Sequence, residues 1–386
     1  MKSLDMPVAA VVGLDINGLG LVRSLARAAI PTVAFDADLK KPTAATRYAR
    51  KRIAALAGDG LIDALLAFRE TQAAAPVLFL TQEQSVRTVS AQRDRLAGRF
   101  HLALPPHEVV HRLMNKDGFM PFAEAAGLAV PGTVTVRGPE DHQSLSRLRP
   151  PLIVKPSERT PEYAALFQKG YVVDSAEEAA ILCERIAPVH REIMVQEWIP
   201  GGDGAIFFTL QYIAADGRLI GAFTGRKLVS WPPRVGGTAM CVAAPEAHED
   251  LSAQTYRFFQ KAGFWGMGGM EYKRDARSGR YYVIEPTISR TDYQSEVATL
   301  NGVNLPALAY HTEIASGKGP ELAPKGACRA WRDPYTVGGR TPMPHRGRTE
   351  TGAAWTAVDS LFRWSDPLPW IRLKLLPVTR RLRRTG

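Results

Sequence analysis

The sequence predicts an α/β protein, α+β in overall arrangement, that joins a parallel sheet to antiparallel hairpins. Near the N-terminus, an apolar run turns at Gly13, continues into a helical apolar spacing, and is followed by a strand at residues 31–36. Strand, glycine turn, helix and strand together form a βαβ unit of a parallel sheet. Further along, residues 205–223 and 266–285 have the pattern of two β-hairpins with glycine-containing turns.

The glycine turn after the first strand departs from a dinucleotide-binding loop. Asp15 stands where the second glycine of the G-x-G-x-x-G pattern lets a pyrophosphate approach. An acidic side chain at that position repels phosphate, although Asp36 and Asp38 lie near the position of a ribose-binding acid. We therefore expect a structural turn inside a small doubly wound domain.

The composition is that of a globular protein, with 45% hydrophobic and 23% charged residues in 386. This length allows two or three globular units. No apolar stretch approaches the ~20 residues of a membrane span, and no cleavable apolar leader is evident, so we expect a cytoplasmic location. Cys183, Cys241 and Cys328 lie far apart without metal-ligand spacing, and we expect reduced, packed thiols.

The formal charge of +11 is concentrated near the C-terminus. Residues 321–386 hold thirteen Lys or Arg against five Asp or Glu, which accounts for +8. Such a balance suits a nucleic acid, an anionic membrane surface or a polyanion. Because no zinc-finger spacing and no RNP-like aromatic motif occurs, we expect no nucleic-acid partner.

The C-terminal segment interleaves cations with apolar residues around Trp370, a composition that suits peripheral contact with the inner face of a membrane, or with a polyanion. Pro369 and Pro377 are expected to confine any helix there to about two turns. The alternative is a tail that packs on its own catalytic domain.

The second hairpin brings two carboxylates together. Folding about Ser278 places Glu271 directly opposite Glu285, with Cβ atoms about 4.5–5.5 Å apart. Carboxylates so close repel each other unless a cation lies between them, and magnesium prefers such oxygen ligands. Alternation along the strand adds Thr287 to the face of Glu285. The alternative is an exposed hairpin with staggered, solvated glutamates.

Two lysines are candidates for binding phosphates. Lys155 ends an apolar strand and precedes Pro156, so its ammonium projects from a sheet edge. Lys116 begins a second candidate segment. Taken alone, each lysine is more typical of a solvated surface charge, and their context decides the interpretation.

These residues occur in an ordered set of motifs that resembles the ATP-grasp superfamily over roughly residues 5–320. The motifs are Met114-Asn115-Lys116, Ile153-Val154-Lys155-Pro156, the stretch from Val195 to Asp203, and the Glu271/Glu285 pair. Residues 223–227, with Pro232-Pro233 and Gly236-Gly237, resemble more closely the carboxylate-amine ligase branch that includes D-aspartate ligase-like proteins.

The resemblance implies an ATP-grasp fold in four parts. A Rossmann-like pre-ATP-grasp domain would span residues 1–108, and a small lid subdomain with its hinge would span 109–200. An antiparallel catalytic subdomain would span 201–320. The basic C-terminal extension would span 321–386.

The resemblance also implies a role for each matching residue of the nucleotide site. Lys116 and Lys155 would contact the α- and β-phosphates of ATP, and Asp203 would bind the ribose hydroxyls. The adenine edge would be formed, partly through backbone groups, by Gln196, Glu197, Trp198 and Ile199.

The catalytic and metal-binding roles follow in the same way. Arg226 or Lys227 would face the γ-phosphate, while Glu271 and Glu285 would hold Mg²⁺, with Mn²⁺ as an alternative. Cations and metal would neutralise the charge that develops during phosphoryl transfer.

The chain departs from the family pattern at two places. Thr287 stands where the family has a metal-binding asparagine, and Arg290 comes one residue late, so it would reach either phosphate or a substrate carboxylate. Thr287 still offers a hydroxyl oxygen. The loop at residues 157–161 lacks the glycines of a phosphate-covering lid.

The implied reaction is ATP-dependent ligation of a carboxylate to an amine through an acyl phosphate, with an amino acid and a cell-surface glycan or peptide as conceivable substrates. The alternatives are a non-catalytic ATP-binding scaffold, a carboxylase, or a phosphotransferase. Residues 291–296 would line the acceptor pocket or begin a helix. A homodimer is compatible with these features.

Overall fold

The computed structural model describes residues 6–157, 160–234, 236–315, 328–338 and 341–382. The side chains of Lys116, Asp117, Ala315 and residues 376–382 lie outside this description. The described chain contains one five-stranded, one four-stranded and one eight-stranded sheet. This mixture of parallel and antiparallel sheets confirms the predicted fold class.

The N-terminal unit is a five-stranded sheet whose order is β3-β2-β1-β4-β5, with every neighbouring pair parallel. Its strands are β1 (Ala9–Val12), β2 (Thr32–Asp36), β3 (Arg50–Ile53), β4 (Val77–Leu80) and β5 (His101–Leu102). Its helices are α1 (Ile16–Arg27), α2 (Asp59–Arg69), α3 (Glu83–Ala91) and α4 (Arg93–Leu96), with a 3₁₀ turn at Pro42–Ala45. The central strands β1 and β4 are wholly buried, as expected of a parallel sheet.

The glycine turn is a structural element, as predicted. Gly13 has φ +94°, and a Cβ there would lie 2.4 Å from Oγ1 of Thr81. The carboxylate of Asp36 accepts a hydrogen bond from the backbone N–H of Leu14, at 2.6 Å. Asp36 therefore fixes the turn.

The middle unit is an antiparallel four-stranded sheet of order β6-β9-β7-β8. Two helices, α5 (His107–Met114) and α6 (Lys116–Ala125), precede it. Its strands are β6 (Thr133–Val136), β7 (Leu152–Pro156), β8 (Tyr171–Val173) and β9 (Ile193–Glu197); its helices are α7 (Pro161–Leu166) and α8 (Ala176–Ile186), with a 3₁₀ segment at Pro139–Arg147.

The C-terminal unit is an eight-stranded sheet of order β14-β13-β10-β11-β12-β15-β17-β16, antiparallel except between β15 and β17. Its strands are β10 (Ile206–Ile213), β11 (Leu219–Trp231), β12 (Gly237–Ala243), β13 (Gly266–Arg274), β14 (Tyr281–Ile288), β15 (Cys328–Arg332), β16 (Arg346–Arg348) and β17 (Ala354–Asp359). Its helices are α9 (His248–Ala262), α10 (Glu296–Leu300), α11 (Leu305–Ala315), α12 (Pro334–Val337) and α13 (Leu368–Leu382), and 3₁₀ turns occupy Asp203–Ala205 and Pro245–Ala247. Both predicted hairpins are confirmed as β10–β11 and β13–β14.

The C-terminal segment differs from its sequence prediction in two respects. Helix α13 has 15 residues and continues past Pro377, where the sequence predicted about two turns. The segment before it packs on the N-terminal unit. Asp366 is fully buried and accepts hydrogen bonds from Nε of Arg23 (3.0 Å), Oγ1 of Thr46 (2.8 Å) and the backbone N–H of Arg47 (3.0 Å). Within the described ranges no helix is both long and apolar enough to cross a membrane.

The three cysteines are free thiols. Cys183 and Cys241 are buried and Cys328 is partly buried. Burial raises the pKa of Cys183 to about 12, so its thiol stays protonated at neutral pH.

Candidate active site

A cleft of about 290 Å³ opens between the middle and C-terminal sheets. Strand β9 and the end of β7 form one wall, and β11, β13 and β14 form the other. Most of the residues singled out from the sequence line this one cleft: Lys155, Gln196, Glu197, Trp198, Ile199, Lys227, Glu271, Glu285 and Arg290. The side chain of Lys116 lies outside the described residues.

The register of the β13–β14 hairpin places Glu271 directly opposite Glu285, as predicted. This pairing does not arise from the regular hairpin that the sequence predicted. Tyr272 pairs with Val283, and the register shifts by one residue between Tyr272 and Glu271. Ile284 is the extra residue of this β-bulge. A regular ladder continued from the turn would have placed Ile284 opposite Glu271, so the bulge aligns the two carboxylates.

Lys227 occupies the space beside these carboxylates. Its Nζ lies 2.7 Å from Oε2 of Glu271, and its side chain is 4% exposed. Burial lowers the pKa of Lys227, but attraction to Glu271 and then to Glu285 outweighs burial and leaves the pKa above its ordinary value. The ammonium therefore stays charged.

For the carboxyl of Glu271, burial instead outweighs the attraction to its ion-pair partner. Burial raises the pKa of its carboxyl, the negative charge of Glu285 raises it further, and the ammonium of Lys227 only partly opposes them. No group of three His, Cys, Asp or Glu side chains that could hold a metal occurs among the described residues. Two facing carboxylates form a partial ligand set, which suits Mg²⁺ because this ion usually takes its remaining ligands from water and phosphate.

The opposite wall is organised around Gln196, whose side chain is 3% exposed. Its Oε1 accepts a hydrogen bond from Nζ of Lys155 at 3.1 Å, and its Nε2 donates to Oγ1 of Thr133 at 2.9 Å. The backbone N–H groups of Glu197 and Trp198 donate to the carbonyls of neighbouring loops. The position of Lys155 at the end of β7 is therefore held by a buried amide on the adjacent strand β9.

The sequence reasoning missed a second buried lysine of the cleft, Lys273. Its Nζ lies 3.6 Å from the centre of the Trp198 ring, and the guanidinium of Arg234 lies 5.5 Å from the same centre. Lys273 is 5% exposed, and burial, followed by repulsion from Arg234, lowers its pKa to about 8. Strand alternation could have identified this lysine from the sequence. Lys273 lies two residues beyond Glu271 and therefore faces the same side of the sheet.

Three of the candidate residues do not line this cleft. The carboxylate of Asp203 accepts hydrogen bonds from the backbone N–H of Ser230 at 2.7 Å and from that of Arg234 at 3.2 Å. Arg226 is paired with Glu350 at 2.7 Å on the other side of β11 from Lys227. Thr287 is buried and pairs with a glycine of β13, although alternation keeps it on the face of Glu285.

A second cleft of about 620 Å³ lies where the N-terminal unit meets the C-terminal unit. Most of its lining residues are of polar or charged types: Asp15, Ile16, Asn17, Lys41, Pro42, Thr43, Thr81, Gln82, Arg290, Asp292, Tyr293, Asp333, Tyr335, Thr336 and Leu361. Arg290 lines both clefts and stands at their boundary. The exposed Asp15 of the glycine turn forms an ion pair with Lys41, with 2.7 Å between Oδ1 and Nζ. The charges of both side chains are therefore already partnered within the second cleft.

Arg290 is held in place by acidic neighbours. Its Nη2 lies 3.1 Å from Oε1 of Glu83, and its Nη1 lies 3.4 Å from Oδ1 of Asp292. The alternative that a helix begins at Thr291 or Asp292 is wrong, because the next helix, α10, begins at Glu296. Asp292 and Tyr293 instead lie on the wall of the second cleft.

Comparison with known proteins identifies the fold through structure alone. No protein-family model matches the sequence, and no curated protein sequence matches it. Solved structures do match. An N5-carboxyaminoimidazole ribonucleotide synthetase from Thermus thermophilus is 18% identical, with a TM-score of 0.61 over 84% of this chain and 82% of that chain.

Two further neighbours support the same fold. The biotin carboxylase domain of Hydrogenobacter thermophilus 2-oxoglutarate carboxylase, a complex with MgADP and bicarbonate, is 13% identical, with a TM-score of 0.63 over 82% of this chain and 71% of that chain. Phosphoribosylglycinamide synthetase from Anaerococcus prevotii is 14% identical, with a TM-score of 0.59 over 82% of this chain and 79% of that chain. The chain therefore has the ATP-grasp fold that its sequence motifs implied.

Proposed function

We propose that this chain is an ATP-dependent ligase that joins a carboxylate to an amine through an acyl phosphate and releases ADP and phosphate. The observation that carries the proposal is the composition of the first cleft. Lys155 and Lys227 approach it from different sheets, and Glu271 faces Glu285 beside Lys227. Cations for a triphosphate and hard oxygen ligands for its metal are thereby combined at one site.

The chemistry asked of these residues is electrostatic. A substrate carboxylate oxygen forms a bond to the γ-phosphorus as the bond from that phosphorus to the β,γ-bridging oxygen breaks, giving ADP and an acyl phosphate. An amine nitrogen then attacks the acyl carbon, the C–O bond to phosphate breaks, and the amine loses a proton as the amide forms. Lys155 and Lys227 would stabilise the phosphate charge, and Mg²⁺ held by Glu271 and Glu285 would supply further neutralisation when bound.

The second cleft is the proposed site of the carboxylate and amine. It adjoins the first cleft at Arg290, whose guanidinium suits a carboxylate poised between the two. Asp292 and Tyr293 offer hydrogen-bonding groups on the adjoining wall. This arrangement supports the sequence interpretation that residues 291–296 contribute to the acceptor pocket.

The finer assignments rest on the sequence resemblance. They are a D-aspartate ligase-like branch, an amino acid as carboxylate donor, and a cell-surface glycan or peptide as acceptor.

Two rival functions are distinguishable by their products. A non-catalytic scaffold is favoured by the replacement of the family asparagine by Thr287, and it would bind ATP without releasing ADP. A carboxylase would use bicarbonate as its carboxylate, the anion present in the Hydrogenobacter neighbour. It would require bicarbonate for ADP release.

The test is ADP release screened over paired amino acids and amino sugars, with and without bicarbonate, followed by hydroxylamine trapping. We expect a hydroxamate of the active amino acid, because hydroxylamine attacks an acyl phosphate. Lys155→Ala should lower turnover about 100-fold or more, whereas Lys40→Ala, at an exposed position outside both clefts, should have little effect. ATP binding without ADP release under every condition would contradict the ligase proposal.

A further inference from the structure

Helix α13 presents an apolar stripe to solvent. Leu368, Ile371 and Leu375 are 47%, 38% and 55% exposed. Their spacing of three and four residues places them on one face of the helix. The opposite face holds the buried Pro369 and the partly buried Leu373. A surface helix ordinarily shows the reverse arrangement, with its apolar side inward.

The orientation of this helix is fixed by specific contacts. Nη1 of Arg372 donates a hydrogen bond to the backbone carbonyl of Leu39 at 2.9 Å, and the rings of Trp370 and Phe362 contact each other with centres 5.5 Å apart. The preceding Asp366 is buried against Arg23. The stripe therefore cannot turn inward without breaking the attachment of the whole segment to the N-terminal unit.

A tryptophan and several cations accompany the stripe. Trp364 is 89% exposed, with its ring against Phe362 at 5.1 Å between centres. Lys374 is exposed on the helix, and the exposed Arg47 is attached to Asp366 through its backbone N–H. The sequence that follows contains four more arginines, at positions 380, 381, 383 and 384. Exposed apolar and cationic side chains are thus combined in and beside α13.

We propose that this surface, composed of Trp364, Leu368, Ile371, Lys374 and Leu375, binds an anionic lipid bilayer with α13 lying in the plane of the interface. Apolar side chains would enter the acyl boundary, Trp364 would lie at the headgroup level, and the cations would face lipid phosphates. An anionic bilayer offers an apolar interior for the stripe and phosphate groups for the cations.

Charge and composition favour lipid over the other possible occupants. A soluble polyanion would engage Lys374 but would leave Trp364 and Ile371 in water. A second copy of the chain would bring two clusters of like charge together, which opposes association. The inference is independent of the proposed ligase activity, because vesicle binding requires neither nucleotide nor turnover.

The experiment is sedimentation of the full-length protein with vesicles of phosphatidylglycerol and phosphatidylcholine, compared with phosphatidylcholine alone. We expect binding to the anionic vesicles at least about tenfold stronger than to the neutral ones. Trp364→Ser/Ile371→Ser removes apolar groups without changing charge and should weaken binding about tenfold or more. Lys374→Ala should weaken it less, and increasingly less as salt is raised.

Matched controls come from exposed apolar residues elsewhere. Leu166 and Ile181 are 68% and 60% exposed in the middle unit, and Leu166→Ser/Ile181→Ser should bind vesicles like the wild type. Equal loss in this control, or equal binding to neutral vesicles, would overturn the proposal. So would wild-type binding by Trp364→Ser/Ile371→Ser together with complete displacement by soluble polyphosphate. A wild-type dimer that becomes monomeric in that variant, with no vesicle binding, would show a self-interface instead.

Discussion

The ammonium of Lys227 lies 2.7 Å from a carboxylate oxygen of Glu271, and both side chains lie on the wall of the cleft that the eight-stranded sheet forms. Glu271 in turn faces Glu285 across the hairpin. One buried cation thus lies beside two closely spaced acids, in a position where a divalent metal and a phosphate are expected to bind. Lys227 stabilises the nucleotide-free cleft and would be available to phosphate once a metal neutralises the carboxylates.

Replacing Lys227 with methionine should therefore destabilise the nucleotide-free protein. The change leaves Glu271, whose side chain is 14% exposed, without its cation. Loss of one partner of such a largely buried pair costs about 3 kcal/mol or more. Urea unfolding measures this free energy, and saturating Mg²⁺ should restore part of it by neutralising Glu271. Lys169→Met, at an exposed position of the same cleft, is the control and should change stability by less than about 0.5 kcal/mol. Equal effects of the two substitutions would contradict the role of Lys227.

Glu285→Gln should impair metal use while preserving the fold. The amide keeps the size of the side chain but removes the negative charge that faces Glu271. Loss of residues that merely support metal ligands costs about 10- to 100-fold, so loss of a direct ligand should raise the Mg²⁺ concentration for half-maximal ADP release at least about 100-fold. Glu350→Gln, which alters the pair with Arg226 outside the cleft, should leave this concentration unchanged. An unchanged Mg²⁺ requirement in Glu285→Gln would remove that residue from the metal site.

The fold and much of the site follow from local sequence patterns. The βαβ unit and both hairpins were predictable because strand alternation, glycine turns and helical spacing are encoded within about 30 residues. The opposition of Glu271 and Glu285 was also predicted, but from a regular hairpin. The sequence does not show the bulge at Ile284 that compensates for the actual position of the turn.

The remaining features depend on contacts between distant segments. Arg226 and Lys227 are adjacent in sequence and were equivalent candidates, yet strand alternation sends Arg226 to Glu350, more than 100 residues away. The sequence did not predict strands β15 to β17. They extend the sheet beyond β12, which lies much earlier in the chain, so no local pattern indicates the pairing. The packing of Asp366 against Arg23 likewise joins residues near opposite ends of the sequence.

Arg290→Met should give a destabilisation that depends on pH. Burial raises the pKa of Asp292, but attraction to Arg290, together with the hydrogen bond from the backbone N–H of Tyr293 and attraction to Lys227, outweighs burial and leaves the pKa below its ordinary value. In the wild type this stabilisation is present above the ordinary Asp pKa and is lost as pH falls through the lowered folded-state pKa. The variant should therefore be less stable by about 2 kcal/mol at pH 7, with the difference shrinking as the pH falls below about 4. Urea unfolding at several pH values measures the trend, and a penalty that grows on acidification would contradict it.

Asp366→Ala should weaken the attachment of the C-terminal segment to the N-terminal unit. Arg23, 4% exposed, would lose its carboxylate partner and remain a buried charge with only backbone carbonyls as acceptors. We expect a loss of about 3 kcal/mol in the free energy of unfolding.

The exposed pair of Asp63 and Arg95, also at 2.7 Å, provides the control for that loss, and Asp63→Ala should cost less than about 1 kcal/mol. In the double variant Arg23→Ala/Asp366→Ala, the cost should be smaller than the sum of the two single costs, because no unpaired charge remains buried. Additive costs, or a loss under about 1 kcal/mol in Asp366→Ala, would show that the pair does not anchor the segment carrying α13. The orientation of the exposed stripe would then depend on the contacts of Arg372 and Trp370 within and beside the helix, without the buried anchor at Asp366.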